Sequence, residues 1–188
     1  MSWCCLGREN KFVHNIVNMG ESMKLCFVDL ETTGVDPKVN GVVQISGVVL
    51  ANGREEGFDW ECRPFEGDKV DAEALRVNGV TAEALAGRED PKVVHLKLLS
   101  LLARHCDKYA KKDKMWFVGY NANFDYQFLR EWFLRCGDKY FGSWFFHPPL
   151  DVMTLAGVEV DTECLHNAVY DIGLTRKVWE KLYDPGQP

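Results

Sequence analysis

Nowhere does this chain hold the roughly 20 consecutive apolar residues that a helix needs to cross a bilayer. Arg8 and Lys11 lie near its start, yet no continuous apolar stretch accompanies them, so no secretory leader is read there. Positive charge is also in short supply. The 22 Lys and Arg residues face 28 Asp and Glu, leaving a net charge of −6. Proteins that coat long duplexes are usually basic, so any attraction to nucleic acid must be local, through metal ions or a small patch. The seven cysteines (Cys4, Cys5, Cys26, Cys62, Cys106, Cys136 and Cys164) include no C-x-x-C pair. An odd, scattered set predicts free thiols in a reducing, cytoplasmic setting. Internal repeats and low-complexity tracts are absent as well.

What is present describes a globular domain. Hydrophobic residues make up 46% and charged residues 27% of 188 positions, near globular averages. That length predicts one domain burying about two-thirds of its surface. Residues 1–22 show no clear period and read as an N-terminal extension, poorly ordered, upstream of a natural start at Met23. The domain is expected over 23–184. Strands are expected over 24–30, 42–50 and 58–62, with Asn52-Gly53 a hairpin signal, so the first three form an antiparallel meander. Residues 71–85 read as two helical turns broken at Asn78-Gly79, the second capped by Thr81. Pro91 opens a longer helix with Val94, Leu98, Leu101, Leu102 and Cys106 on one face. A strand at 115–118 precedes a helix around Phe128. A fifth strand ends at Leu150, with Asp151 capping a brief helix, and residues 167–182 form the closing helix. Hairpin strands followed by alternation with helices give an α/β fold: a mixed five-stranded sheet, three antiparallel strands then two parallel, flanked by helices.

One segment stands out. Leu25-Cys-Phe-Val-Asp29-Leu-Glu31-Thr-Thr-Gly34 is an apolar run ending in two carboxylates one residue apart. Strand side chains alternate faces, so Asp29 and Glu31 point the same way. A carboxylate ending a buried strand is costly without a compensating cation or hydrogen bonds, and two hard oxygen donors together suit a divalent metal. The D-x-E pattern recurs at Asp59/Glu61, Asp71/Glu73 and Asp161/Glu163, but in polar surroundings that predict solvated side chains.

Asp125 follows another strand in Gly119-Tyr-Asn121-Ala-Asn-Phe-Asp125. Taken alone it reads as a carboxylate serving a helix dipole. Its place beyond a strand's C-terminal end also fits the edge where open α/β sheets build sites. His166 and Asp171 form the only H-x4-D. A spacing of five does not align side chains on one ideal helix, so the histidine is expected on the preceding loop and the aspartate one turn along. A surface histidine with a helix-dipole aspartate is the plain alternative.

Together, Phe-Val-Asp29-Leu-Glu31-Thr-Thr-Gly, Asn121-Ala-Asn-Phe-Asp125 and His166-Asn-Ala-Val-Tyr-Asp171-x-x-x-Thr175 resemble the three motifs of the DEDDh 3′→5′ exonucleases. That family includes the proofreading epsilon subunit of bacterial DNA polymerase III, ribonuclease T and oligoribonuclease. The segment Ala74 to Thr81 resembles a recurring epsilon-like stretch. The resemblance implies a ribonuclease H-like fold and two-metal phosphodiester hydrolysis. On the matching positions, Asp29, Glu31, Asp125 and Asp171 would hold two Mg²⁺ or Mn²⁺ ions, and His166 would be the general base. Leu30 and Thr32 would contact the terminal nucleotide, with Asn121 and Tyr126 as further substrate contacts. Implied partners are single-stranded 3′ ends and a DNA polymerase subunit. The expected function is removal of nucleoside 5′-monophosphates from single-stranded or frayed 3′ ends, DNA preferred. The alternatives are an RNA 3′ exonuclease and a non-catalytic binding module on the same scaffold. In one departure from epsilon-like proteins, only about nine residues separate Ala156 from His166, which thins the wall near the substrate's end.

Other features weigh less. Phe124, Phe128 and Trp132 share a helix face and read as core, with Tyr126 the exception available for stacking on bases. Lys108, Lys111, Lys112 and Lys114 read first as a solvated helix end and second as a phosphate contact. Trp144-Phe-Phe-His147-Pro-Pro is a packed turn or a substrate loop. His95 and His105 suggest no ligand set.

Overall fold

A computed structural model describes residues 23–152, 172–173 and 175–176. Strands β1 (Leu25–Thr32), β2 (Val42–Ala51) and β3 (Arg54–Glu61) form the antiparallel meander. The β2–β3 turn needs positive φ at both central residues, which Asn52 (54°) and Gly53 (68°) supply. This two-residue turn pairs Ala51 directly with Arg54, so β3 begins four residues before the expected Phe58. Its first residues are polar because main-chain pairing on an edge strand requires no buried side chain. β1 also runs two residues past the expected end, which places Glu31 and Thr32 within the strand.

Short helices α1 (Ala72–Val77) and α2 (Ala82–Ala86) follow, interrupted at Asn78-Gly79 as expected. The Thr81 hydroxyl accepts the Ala84 N–H at 3.2 Å, the cap its position predicted. Helix α3 (Pro91–His105) starts with proline in its first turn and with the Asp90 carboxylate accepting the Lys92 N–H. Strand β4 (Trp116–Gly119), helix α4 (Ala122–Arg135), the turn-length α5 (Phe141–Trp144) and strand β5 (Leu150–Asp151) complete the described order. The sheet order is β3-β2-β1-β4-β5, with β1–β4 and β4–β5 parallel. The mixed five-stranded sheet is therefore the one expected. Of the expected closing helix, Ile172, Gly173, Thr175 and Arg176 are helical. Its other residues, the 1–22 extension, His166, Asp171 and the Asp161/Glu163 pair lie outside the described residues.

Alternation along β1 sends its side chains to two cores. Cys26, Val28 and Leu30 join the larger cluster with Leu98, Leu102, Phe128 and Phe133 from α3 and α4. Leu25 and Phe27 face the smaller one with Val118, Val152 and Ile172. Truncating a fully buried ring such as Phe117 or Phe128 to alanine would cost roughly 3–5 kcal/mol. The four described cysteines are free, as expected. Burial pushes the Cys62 thiol up to about 12 and the Cys106 thiol up to about 11, so both are poor nucleophiles in the folded chain. Among the described residues no helix is long and apolar enough to cross a membrane.

A candidate carboxylate site at the end of β1

The register of β1 with β4 ends at Phe27 opposite Val118, leaving the last residues of β1 beyond their parallel neighbour. Past that point a strand N–H has no ladder partner and requires another acceptor. The Leu30 amide finds it in Asp125, whose Oδ1 accepts at 3.1 Å. Asp125 is only 4% exposed, so this buried carboxylate is held on the main chain between Asp29 and Glu31. Both of those residues are half-buried and alternate with buried Val28, Leu30 and Thr32, so they share the opposite face from Leu30. The structure thus brings the first and second carboxylate motifs to one corner.

Several local features seat Asp125 there. Gly119 ends β4 so close to its neighbours that a Cβ would lie 3.2 Å from the Val28 carbonyl and 3.2 Å from Ala122 Cα. Asn121 takes the left-handed conformation at φ 57°, which asparagine tolerates better than most residues. Its N–H donates to Asp151 Oδ1 at 3.1 Å. Asp151 was expected to cap a following helix. It ends β5 opposite Gly119, immediately before helical Val152, and its carboxylate serves the start of α4.

The exit from β1 is fixed just as closely. The strand register slips between Glu31 and Thr32. The Thr32 hydroxyl donates to the Gly34 carbonyl at 2.6 Å, and the Thr33 hydroxyl donates to Lys69 O while accepting from Gly41 N. Asn40 is buried, and its amide donates to the carbonyls of Thr33 and Lys69. Asn78 reaches from the α1–α2 break to the Thr32 carbonyl at 3.0 Å. Sequence reasoning did not single out Asn40, whose only signal is its place in a turn. Asn78 lies within the segment already read as epsilon-like.

One substrate expectation needs correction. Tyr126 was read as available for stacking, but it is 6% exposed and packs edge-on against Phe117 and Phe141. It sits one residue beyond Asp125 on α4, which turns its ring into the larger core; burial also raises its phenol's pKa. Phe124, read as core, is the half-buried ring beside Asp125 and packs on Phe128 at 4.7 Å. Leu30 and Thr32, at 6% and 8% exposed, bury their side chains on the face away from Asp29 and Glu31. Asn121 is exposed at the start of α4.

The two competing D-x-E pairs among the described residues are engaged elsewhere. Asp59 accepts from Gln44 and Ser46, and Glu61 pairs with Arg88. Asp71 pairs with Lys69 and Glu73 with Arg76; each carboxyl sits below its usual range because that neighbouring cation hydrogen-bonds it. Among the described residues no group of three or more His, Cys, Asp or Glu forms a complete ion-holding set. The side chains that Asp29, Glu31 and Asp125 bring to this corner offer only carboxylate oxygens, the chemistry that Mg²⁺ and Mn²⁺ prefer.

A family model described as an exonuclease, of the RNase T type, matches residues 26–156. That span contains Asp29, Glu31 and Asp125 and ends before His166 and Asp171. In sequence the chain is 26% identical over 157 residues to the PolC-type DNA polymerase III of Thermotoga petrophila, covering 82% of this chain and 10% of the polymerase. It is 26% identical over 169 residues to ribonuclease T of Shewanella oneidensis, covering 84% of this chain and 74% of that one. The chain therefore spans only about a tenth of its polymerase relative but most of the ribonuclease. In fold it resembles E. coli exonuclease I in complex with a dT13 oligonucleotide, with a TM-score of 0.65 at 17% identity over 87% of this chain and 42% of that one. The zinc-bound form of the E. coli exonuclease I–single-stranded DNA complex superposes with a TM-score of 0.64 at 19% identity, over 89% of this chain and 42% of that one.

Proposed function

The chain belongs to the exonuclease family whose model spans residues 26–156, and from that premise we propose that it removes nucleoside 5′-monophosphates from single-stranded or frayed 3′ ends, DNA in preference to RNA. The observation that carries this reading is the Asp125 hydrogen bond to the Leu30 amide, which ties the two carboxylate motifs to one corner of the sheet. Asp29, Glu31 and Asp125, joined by Asp171, would hold two Mg²⁺ or Mn²⁺ ions. Such ions supply positive charge that stabilises both the attacking and the leaving oxygen of an in-line displacement.

The protein's own groups do the rest. Asp29 and Glu31 keep their relative placement because the Thr32–Thr33 exit is anchored by Asn40 and Asn78. His166 would accept the proton of the attacking water, a role suited by a reference pKa of ~6.5. Phe124, half-buried and packed on Phe128, would meet a base in place of Tyr126. Asn121, exposed at the same edge, would contact the strand.

The test uses a 5′-labelled single-stranded oligodeoxynucleotide in Mg²⁺. A ladder shortening from the 3′ end, and absent in EDTA, is expected. Shortening from the 5′ end, internal cleavage, or an unchanged substrate would overturn the reading. A second reading, an RNA 3′ exonuclease, is favoured by the likeness to ribonuclease T over most of both chains. Faster initial rates on an RNA oligomer than on its DNA counterpart would select it.

A further inference from the structure

We propose that the turn between α3 and β4, carrying Lys108, Tyr109, Lys111, Lys112 and Lys114, is a second contact for single-stranded nucleic acid, taking phosphates upstream of the reacting 3′ end. It deepens the exonuclease reading and rests on it for the identity of the strand.

The turn's acidic groups are already engaged. Asp107 Oδ1 accepts the Tyr109 N–H, Asp113 Oδ2 accepts the Asp107 N–H, and Asp113 pairs with Lys24. The neighbouring Glu56 is engaged by Arg104 and His105. The lysines are placed differently. Among the described residues Lys108, Lys111, Lys112 and Lys114 form no ion pair, which is also true of Lys38, Arg54, Lys92, Arg130 and Lys139, but only in this turn do four such cations fall within seven residues. Lys114 donates instead to the Gly142 carbonyl, and Lys108 lies over the Tyr109 and Trp144 rings. Lys111 and Lys112 are thus exposed and take no partner among the described residues, in a chain of net charge −6. Tyr109, 83% exposed, stands among them beside a recess of about 670 Å³ that Arg104, Lys108 and Trp144 also line, together with the engaged carboxylates of Asp107 and Asp113.

Cations interleaved with an exposed ring match the chemistry of single strands, whose phosphates seek positive charge and whose bases stack on aromatic faces. Lys114 precedes β4 and α4 with Asp125 follows it, so the turn lies at the opposite end of a four-residue strand of about 13 Å from the carboxylate corner, and a bound strand would have to span that length. An oligonucleotide of roughly 12 residues lies within the usual single-strand footprint.

Binding is measured without divalent metal, so that turnover is irrelevant, as the anisotropy of a labelled 12-mer across a salt series. For K108Q/K111Q/K112Q the log Kd–log salt slope should become shallower by about 2, with binding at ~0.1 M salt about tenfold to a hundredfold weaker. Tyr109→Ala should weaken binding about fivefold with the slope kept. Removing three charges elsewhere, as R54Q/K92Q/K97Q, should leave the slope unchanged. Hydrolysis of a dinucleotide, too short to reach the turn, should be equal in wild type and the lysine variant. An unchanged slope in that variant, or an equal loss in the charge control, overturns the proposal. Failure of wild type to hydrolyse either substrate would remove the exonuclease reading alone, because the binding series is scored separately.

Discussion

Asp125 has two separable duties, and substitutions tell them apart. As an acceptor it satisfies the buried Leu30 amide; as an anion it is proposed to help hold metal. Asp125→Ala removes both and should cost about 1–3 kcal/mol of stability, because a buried donor loses its partner. Asp125→Asn retains an amide oxygen for the Leu30 N–H and should be nearly neutral in denaturant unfolding, yet lose Mg²⁺-dependent hydrolysis. Equal unfolding midpoints for the two variants would refute the structural duty. The special status of Asp29-Leu-Glu31 was legible in the sequence because an apolar run leading into two carboxylates has few cheap explanations. The burial of Tyr126 was not, since a helix pattern tells which residues share a face more readily than how far that face is covered. Asn40 was also hidden: its value lies in the carbonyls of Thr33 and Lys69, remote in sequence and brought together only by folding.

At the scale of elements, α4 can approach β1 because Gly119 lacks a side chain and Asn121 accepts a left-handed turn. Gly119→Val should push the helix start away from the Val28 carbonyl, destabilising the fold by roughly 1–3 kcal/mol and reducing turnover more than Asn121→Ala, whose strain costs about 1 kcal/mol. Unfolding curves and initial rates on both variants check the order. Element types were readable from turn chemistry: Asn52-Gly53 gave the hairpin, Thr81 its cap, and Pro91 a helix start. Boundaries were less so. β3 begins at Arg54 because ladder pairing continues to the turn regardless of side-chain polarity.

Across the whole molecule, acid sensitivity should come partly from one buried imidazole. His95 is 5% exposed between the Trp132 and Phe133 rings, and burial lowers its pKa while Asp138 nearby opposes the shift. A folded-state pKa below the unfolded value of ~6.5 means that the unfolded chain binds the proton more readily. Its contribution is therefore fully present above pH ~6.5 and lost as pH falls toward the lowered value. His95→Phe should flatten stability between neutral pH and mild acid; an unchanged slope would show that this ring is not a source of it. The sheet topology was legible because hairpin strands followed by alternating helices leave few arrangements. The basic turn read first as a solvated helix end, because composition reports net charge but not which carboxylates are already engaged.

The most direct measurement of the central claim is chromatographic: mononucleotide released from a single-stranded oligomer in Mn²⁺ by wild type, Asp29→Asn, Glu31→Gln and Asp125→Asn, each confirmed folded. Wild type should release nucleoside 5′-monophosphates steadily, and each substitution should reduce that rate at least about a hundredfold. Undiminished release by any folded variant, or none by wild type, would contradict the account.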